Sequence, residues 1–234
     1  MKITFWSDYA CPYCYIGEVR LRQAIKELGL QNDIELEARA FELDPDAPIA
    51  VMSSTVDRFA TKYGKTREEA LARIDSISKL GQEAGIDFRY ASSQYTNTLD
   101  AHRLYKFADS KGDPIVADKV NGGLFAAYFT ECLPLADEST LLKVAEDAGL
   151  NKDEVREMLA SDRFIDDVRA DEQEAAYKGV RGVPFFVFAG EFNVPGALSV
   201  EDFKDAITHA MKLESVAEEK AAAAHQCGPD GCSL

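Results

Sequence analysis

Cysteine, tryptophan, positive charge and long hydrophobic runs are all scarce in this 234-residue sequence. Five cysteines are too few, and odd in number, for the complete disulfide framework that staples small secreted domains. With 26 Lys and Arg against 41 Asp and Glu the net charge is −15, so phosphate backbones and anionic lipid surfaces repel the chain. Nucleic acid and membranes are thereby excluded as general partners, and basic or neutral protein clients are expected to be met more readily than acidic ones. No stretch is apolar enough to span a bilayer. Met1 to Asp8 carry neither a long apolar core nor a small-residue cleavage site, so no secretory signal is visible and the expected address is the cytoplasm. There permanent disulfides are rare, and paired cysteines tend to be catalytic or metal-binding. What is plentiful, 46% hydrophobic residues over this length, supplies one sizeable core or a core with an inserted subdomain.

Lys2 to Trp6 reads as a short strand that runs straight into Cys11 and Cys14. Leu21, Ala24, Ile25 and Leu28 then recur at helical spacing before Gly29, and Ile34, Leu36, Ala38 and Ala40 alternate as one face of a second strand. From about Ser53 to Gly179 the pattern is helical, with start signals at Thr66-x-x-Glu69, Pro114 and Asn151-x-x-Glu154, and a stripe of Leu71, Ile74, Ile77 and Leu80. Strand character returns at Phe185 to Phe188 and again through Phe192 and Val194, a hairpin about Gly190; Ser199 can cap a last helix. The order is β-α-β, a helical block, then β-β-α, which predicts an α/β fold with helices on both faces of a central sheet. The expected domains are residues 1–52 with 180–214, an inserted helical subdomain at 53–179, and a tail at 215–234.

Cys11-Pro12-Tyr13-Cys14 sits where a strand becomes a helix. A cysteine at a helix N-terminus faces unpaired backbone N–H groups and the positive end of the helix dipole, which favour thiolate over thiol. Cys11 is therefore the expected nucleophile. Cys14, three residues on and over the same face, is the expected resolving thiol. Against this stands a structural zinc site, since C-x-x-C also has thiolate-ligand spacing and Cys227 with Cys232 would complete a set of four cysteine ligands. A second signal is Gly182-Val183-Pro184-Phe185-Phe186, a proline opening a buried strand, where a cis peptide bond would account for it.

Taken together, Ser7 to Gly17, Phe41-Glu42-Leu43-Asp44-Pro45, Asn97-Thr98-Leu99-Asp100-Ala101-His102-Arg103 and Gly182 to Phe186 resemble the DsbA family, and within it the cytoplasmic FrnE-like branch. The resemblance covers nearly the whole chain. It implies a thioredoxin fold with an inserted helical subdomain and thiol–disulfide oxidoreductase or isomerase activity on protein disulfides or thiols. Cys11 and Cys14 carry over as the redox pair; Pro12, Tyr13, Val183 and Pro184 carry over as substrate contacts, the last two as the cis-proline loop. No organic cofactor is implied, and glutathione is a candidate reductant. Tyr13 departs from the Trp of many FrnE-like proteins and from the His of periplasmic DsbA. The Pro-Tyr dipeptide is instead similar to that of dithiol glutaredoxins, with potentials of roughly −200 to −230 mV, so an intermediate potential is expected. The kappa-class transferases and chromene-carboxylate isomerases are also similar, although they generally use serine where this chain has Cys11; they set a glutathione-dependent small-molecule enzyme as the alternative.

Cys227-Gly228-Pro229-Asp230-Gly231-Cys232 has turn chemistry at its centre and is read as an auxiliary dithiol that exchanges with Cys11–Cys14, against a tail without function. Cys132 reads as a buried small hydrophobe. Asp8 and Glu42 are candidate modulators that would relay a proton to or from Cys14. His102 is the third, a helical histidine that either approaches the active-site groove or is satisfied within its helix.

Overall fold

The computed structural model describes the backbone of residues 1–226 and the side chains of residues 1–216. Strand β1 (Lys2–Ser7) leads into α1 (Pro12–Glu27) and then β2 (Glu35–Ala40). Seven helices follow: α2 (Thr55–Tyr63), α3 (Arg67–Glu83), α4 (Leu99–Asp109), α5 (Pro114–Phe129), α6 (Glu138–Ala148), α7 (Lys152–Leu159) and α8 (Ile165–Tyr177). The hairpin β3 (Phe185–Phe188) and β4 (Phe192–Pro195) and the long α9 (Val200–Gln226) close the described chain. Helix α9 continues past residue 214, where the sequence pattern began the tail, because its Glu/Lys/Ala stretch contains no helix breaker. The sheet order is β2-β1-β3-β4, with β1 parallel to β2 and every other pairing antiparallel.

The period of two in β1 sorts its side chains between two cores. Ile3 and Phe5 face the larger one, where Phe5 lies 5.7 Å from Phe186 and Phe203 of α9 meets Phe186 edge-on at 5.1 Å. Trp6 faces the other with Val187, Val180 and Ala175 of α8, and its indole N–H donates to the Asp171 carbonyl at 2.9 Å. The helical block obeys the start signals: Thr66 caps α3, with Glu69 as a reciprocal capping box, Asp113 caps α5 ahead of Pro114, and Asn151 caps α7; Ser54 caps α2 as well. Aromatic stacking joins the block to α1 through Tyr15, parallel to Phe125 at 5.0 Å, and stiffens the block itself through Phe88 stacked on Phe129 at 4.6 Å.

Two local expectations are corrected. Leu71 is exposed and Leu80 half-buried; the buried stripe of α3 keeps Ile74 and Ile77 but runs through Ala70 and Gly81 at its ends, the i, i+4, i+7, i+11 spacing of one helical face. Cys132 is half-buried rather than in the core. It stands in the turn after α5 with φ +58°, and its thiol reaches only the backbone carbonyls of Arg89 and Thr130, at 3.6 and 3.9 Å.

Candidate active site

Cys11 occupies the N-cap of α1 with extended backbone, and its side chain makes no capping bond, so the sulfur is left available at the helix start. Pro12 takes the first helical position, and no acidic residue lies in the first turn to cancel the positive end of the helix. The Val183–Pro184 peptide is cis, and the Cys11 thiol donates to the Val183 carbonyl at 3.5 Å. A Cβ on Gly17 would stand 3.3 Å from Pro184 Cγ and from Ala197, so a glycine at this point of α1 lets the proline loop pack closely. The Gly196 N–H in turn donates to the Pro184 carbonyl at 2.8 Å.

Cys11 and Cys14 are free thiols here, both buried, but only Cys11 lines a cleft. Burial pushes the Cys14 thiol well above its ordinary pKa, and its contact with Cys11 adds to the rise. The cleft has a volume of about 370 Å³; Cys11, Pro12, Tyr13 and Val183 form one wall, while α2 and α3 supply the other through Arg58, Lys62, Tyr63 and Arg73. Tyr13 is joined across it to α3, its hydroxyl accepting from Arg73 Nη2 at 3.1 Å.

Beneath the cysteines, Asp8 is fully buried. Burial opposes its ionisation, yet the His102 ring and the backbone N–H groups of Leu43 (2.8 Å) and Ala10 (3.2 Å) outweigh it and hold the carboxyl below its usual range. His102 Nε2 lies 3.6 Å from Asp8 Oδ1 and is otherwise without a hydrogen-bond partner among the described residues. Of the three candidate modulators the fold thus brings Asp8 and His102 together. Glu42 is buried in the same layer: the next residue, Leu43, donates its N–H to Asp8, the His102 ring acts on the Glu42 carboxyl, and that carboxylate is paired with Arg169 of α8. Burial keeps the Glu42 carboxyl above its ordinary value despite that guanidinium. The Asn97-to-Arg103 segment braces this layer. Asn97 donates to the Pro45 carbonyl at 3.0 Å, and buried Arg103 donates to carbonyls of Arg163 and Met158, each at 2.8 Å.

The cations of α2 and α3, with Tyr63, Tyr90 and Tyr95, were missed in the sequence. Their signal was there: residues 55–73 hold five Lys or Arg against three Asp or Glu, an excess in an acidic chain. Among the described residues no group of three or more His, Cys, Asp or Glu is placed to hold a metal ion. Cys227 and Cys232 lie outside the described residues. No described helix is long and apolar enough to cross a membrane.

A helix-start cysteine pair beside a cis-proline loop on this sheet defines a thioredoxin-fold protein of the dithiol class. The model of the DSBA-like thioredoxin domain matches residues 2–208, and the chain belongs to that family of thiol oxidoreductases. A probable DsbA oxidoreductase, SCO1869 from Streptomyces coelicolor, is 31% identical with a TM-score of 0.85, over 100% of this chain and 99% of that one. The uncharacterized protein YwbO of Bacillus subtilis is 28% identical over 217 residues, 91% of this chain and 98% of that protein. A 2-hydroxychromene-2-carboxylate isomerase shares the fold, with 15% identity and a TM-score of 0.65 over 95% of this chain and 99% of that one.

Proposed function

We propose that the protein is a cytoplasmic thiol–disulfide oxidoreductase or isomerase that exchanges with protein disulfides through Cys11, with Cys14 as the resolving thiol and the helical block at 53–179 closing one side of the substrate cleft. One observation carries this reading: Cys11 stands at the helix start, in the cleft and 3.5 Å from the Val183 carbonyl, while Cys14 is buried behind it. In the reducing direction the Cys11 thiolate attacks a client disulfide. A Cys11–client bond forms, the client S–S bond breaks, and the released thiolate takes a proton from water. Cys14 then gives up its proton and attacks Cys11, forming the Cys11–Cys14 disulfide and expelling the second client thiol. Two electrons have passed to the client, and two thiol equivalents, glutathione being the candidate, restore the dithiol. The reverse sequence oxidises a dithiol client. No organic cofactor enters.

Because burial holds Cys14 in its thiol form and the charges of Cys11 and Asp8 raise it further, its deprotonation is the demanding proton step, and Asp8 with His102 is the candidate relay that carries the proton away. The Cys227/Cys232 pair serves as an accessory dithiol. The deciding experiment is trapping: Cys14→Ser should accumulate a mixed disulfide on Cys11 with a client protein, and Cys11→Ser should accumulate none. Equal trapping by both variants, or by neither, rejects the assignment. A glutathione-dependent small-molecule isomerase is the second reading, favoured by a cleft whose volume lies in the range of small-ligand sites. Saturable glutathione binding without reduction of insulin would select it.

A further inference from the structure

The four basic side chains that line the cleft, Arg58, Lys62, Lys65 and Arg73, have no acidic counterpart among its lining residues. In a chain of net charge −15 this is the reverse of the average surface. Arg58 is partly engaged, its guanidinium 3.2 Å above the Tyr95 ring and 3.5 Å from Asp44. Arg73 meets the neutral Tyr13 hydroxyl, and nearby Arg67 pairs with Asp57 at 3.1 Å. Lys62, Lys65 and Arg73 form no salt bridge among the described residues. The cations also sit on one wall, that of α2, the loop after it and α3, opposite Cys11 and Val183.

We propose that this wall reads carboxylates, so that the disulfides preferred by Cys11 lie in acidic peptide segments. The proposal rests on the assignment of Cys11 as the exchanging thiol. The range of electrostatics decides between this local reading and the net charge. At physiological ionic strength the screening length is about 8 Å. A peptide seated over Cys11 is therefore governed by the charges lining the cleft, and the distant carboxylates that make up the −15 are largely screened. Long-range repulsion slows the approach of an acidic client, but complementary charge at the contact sets which segment is held. The preference for basic clients that the net charge suggests is thus inverted at the site itself. Tyr63, which is exposed, and the half-buried Tyr13 give the same cleft flat apolar surface for the peptide backbone and side chains between its charges.

The test uses the full-length, pre-reduced protein in single turnover, so that its own dithiol supplies both electrons. Three synthetic peptides carry the same internal disulfide flanked by Glu, Gln or Lys, and oxidised glutathione serves as a small anionic disulfide. The expected result is reduction of the Glu peptide about tenfold faster than the Gln peptide at low salt, with the Lys peptide slowest. The ratio of Glu to Gln rates should collapse toward one in 1 M salt and in Lys62→Gln/Lys65→Gln, and persist in Lys143→Gln, a cation on α6. Equal rates for the three peptides, or preference for Lys, with a Cys11 mixed disulfide still formed, overturns the charge reading and leaves the exchange assignment standing. Faster reduction of oxidised glutathione than of any peptide overturns the peptide client in favour of a small anionic disulfide. No exchange with any probe overturns the assignment of Cys11 and this proposal together.

Discussion

At the scale of single residues, the division of labour between the two cysteines follows from a difference in depth. Cys11 borders the cleft and Cys14 does not, and burial holds Cys14 as a thiol. Alkylation of the reduced protein by iodoacetamide, followed by peptide mass analysis, should therefore modify Cys11 at least about tenfold faster than Cys14; faster loss of Cys14 would reverse their roles. Tyr13 between them supplies no cation to stabilise the thiolate. Equilibration with glutathione redox buffers should accordingly give a potential between roughly −270 and −120 mV, and a value at the upper end would reject the expectation. Asp8 adds a pH signature. Its carboxyl is held below its usual range in the folded state, so its contribution to stability is complete above the unfolded value of about 4 and is lost as pH falls through the folded one. Asp8→Asn should cost about 1–2 kcal/mol at pH 7 and flatten the acid limb of the stability curve. An unchanged acid limb would show that the carboxylate carries no such linkage.

At the scale of elements, what was legible in the sequence was what is local. β1, the cysteine turn and α1 are encoded by alternation followed by Pro12 at a helix start, and the hairpin by an apolar run broken at Gly190. Thr66 with Glu69 and Asp113 with Pro114 announce their helices in the same way. The partners of a face are not encoded locally. Glu42, next to the end of β2, pairs with Arg169, a residue 127 positions away, and Cys132 sits at a positive-φ position that no composition reveals. The glycines of the helical block show the same contrast. A Cβ on Gly81 of α3 would lie 2.5 Å from Phe88 Cγ, whereas one on Gly122 of α5 meets nothing within 4 Å. Gly81→Ala should destabilise by about 1–3 kcal/mol through overpacking against Phe88. Gly122→Ala, in the same background, should stabilise by about 0.5–1 kcal/mol. Urea unfolding of both variants checks the pair, and the same sign for both would contradict the packing.

At the scale of the whole molecule, the acidic balance and the cationic cleft show what a sum over the chain conceals: −15 is correct as a total, but it does not describe the surface a client touches. The C-terminus poses a similar question of reach. The chain entering α9 is tied to the cis-proline loop beside Cys11, since the Gly196 N–H donates to the Pro184 carbonyl at 2.8 Å, and Arg20 of α1 donates to the Leu198 carbonyl at 3.3 Å. Farther along, Glu214 comes 3.9 Å from the Met1 amino group, at the far end of β1 from Cys11. The helix therefore travels away from the cysteines as it proceeds toward residue 226. Its packing on the core is made by Phe203, Ala206, Ile207 and Ala210, while Leu213 and Val216 are already exposed. Ending the chain after Ala224 removes Cys227 and Cys232 but none of these anchors. The melting temperature of the truncated protein should stay within about 2 °C of the full chain, the shift that a few tenths of a kcal/mol produces in a protein of this size. If the second pair is an accessory dithiol, reductive turnover with glutathione should change in the truncated protein. Identical turnover at an unchanged melting temperature would remove Cys227 and Cys232 from the catalytic cycle.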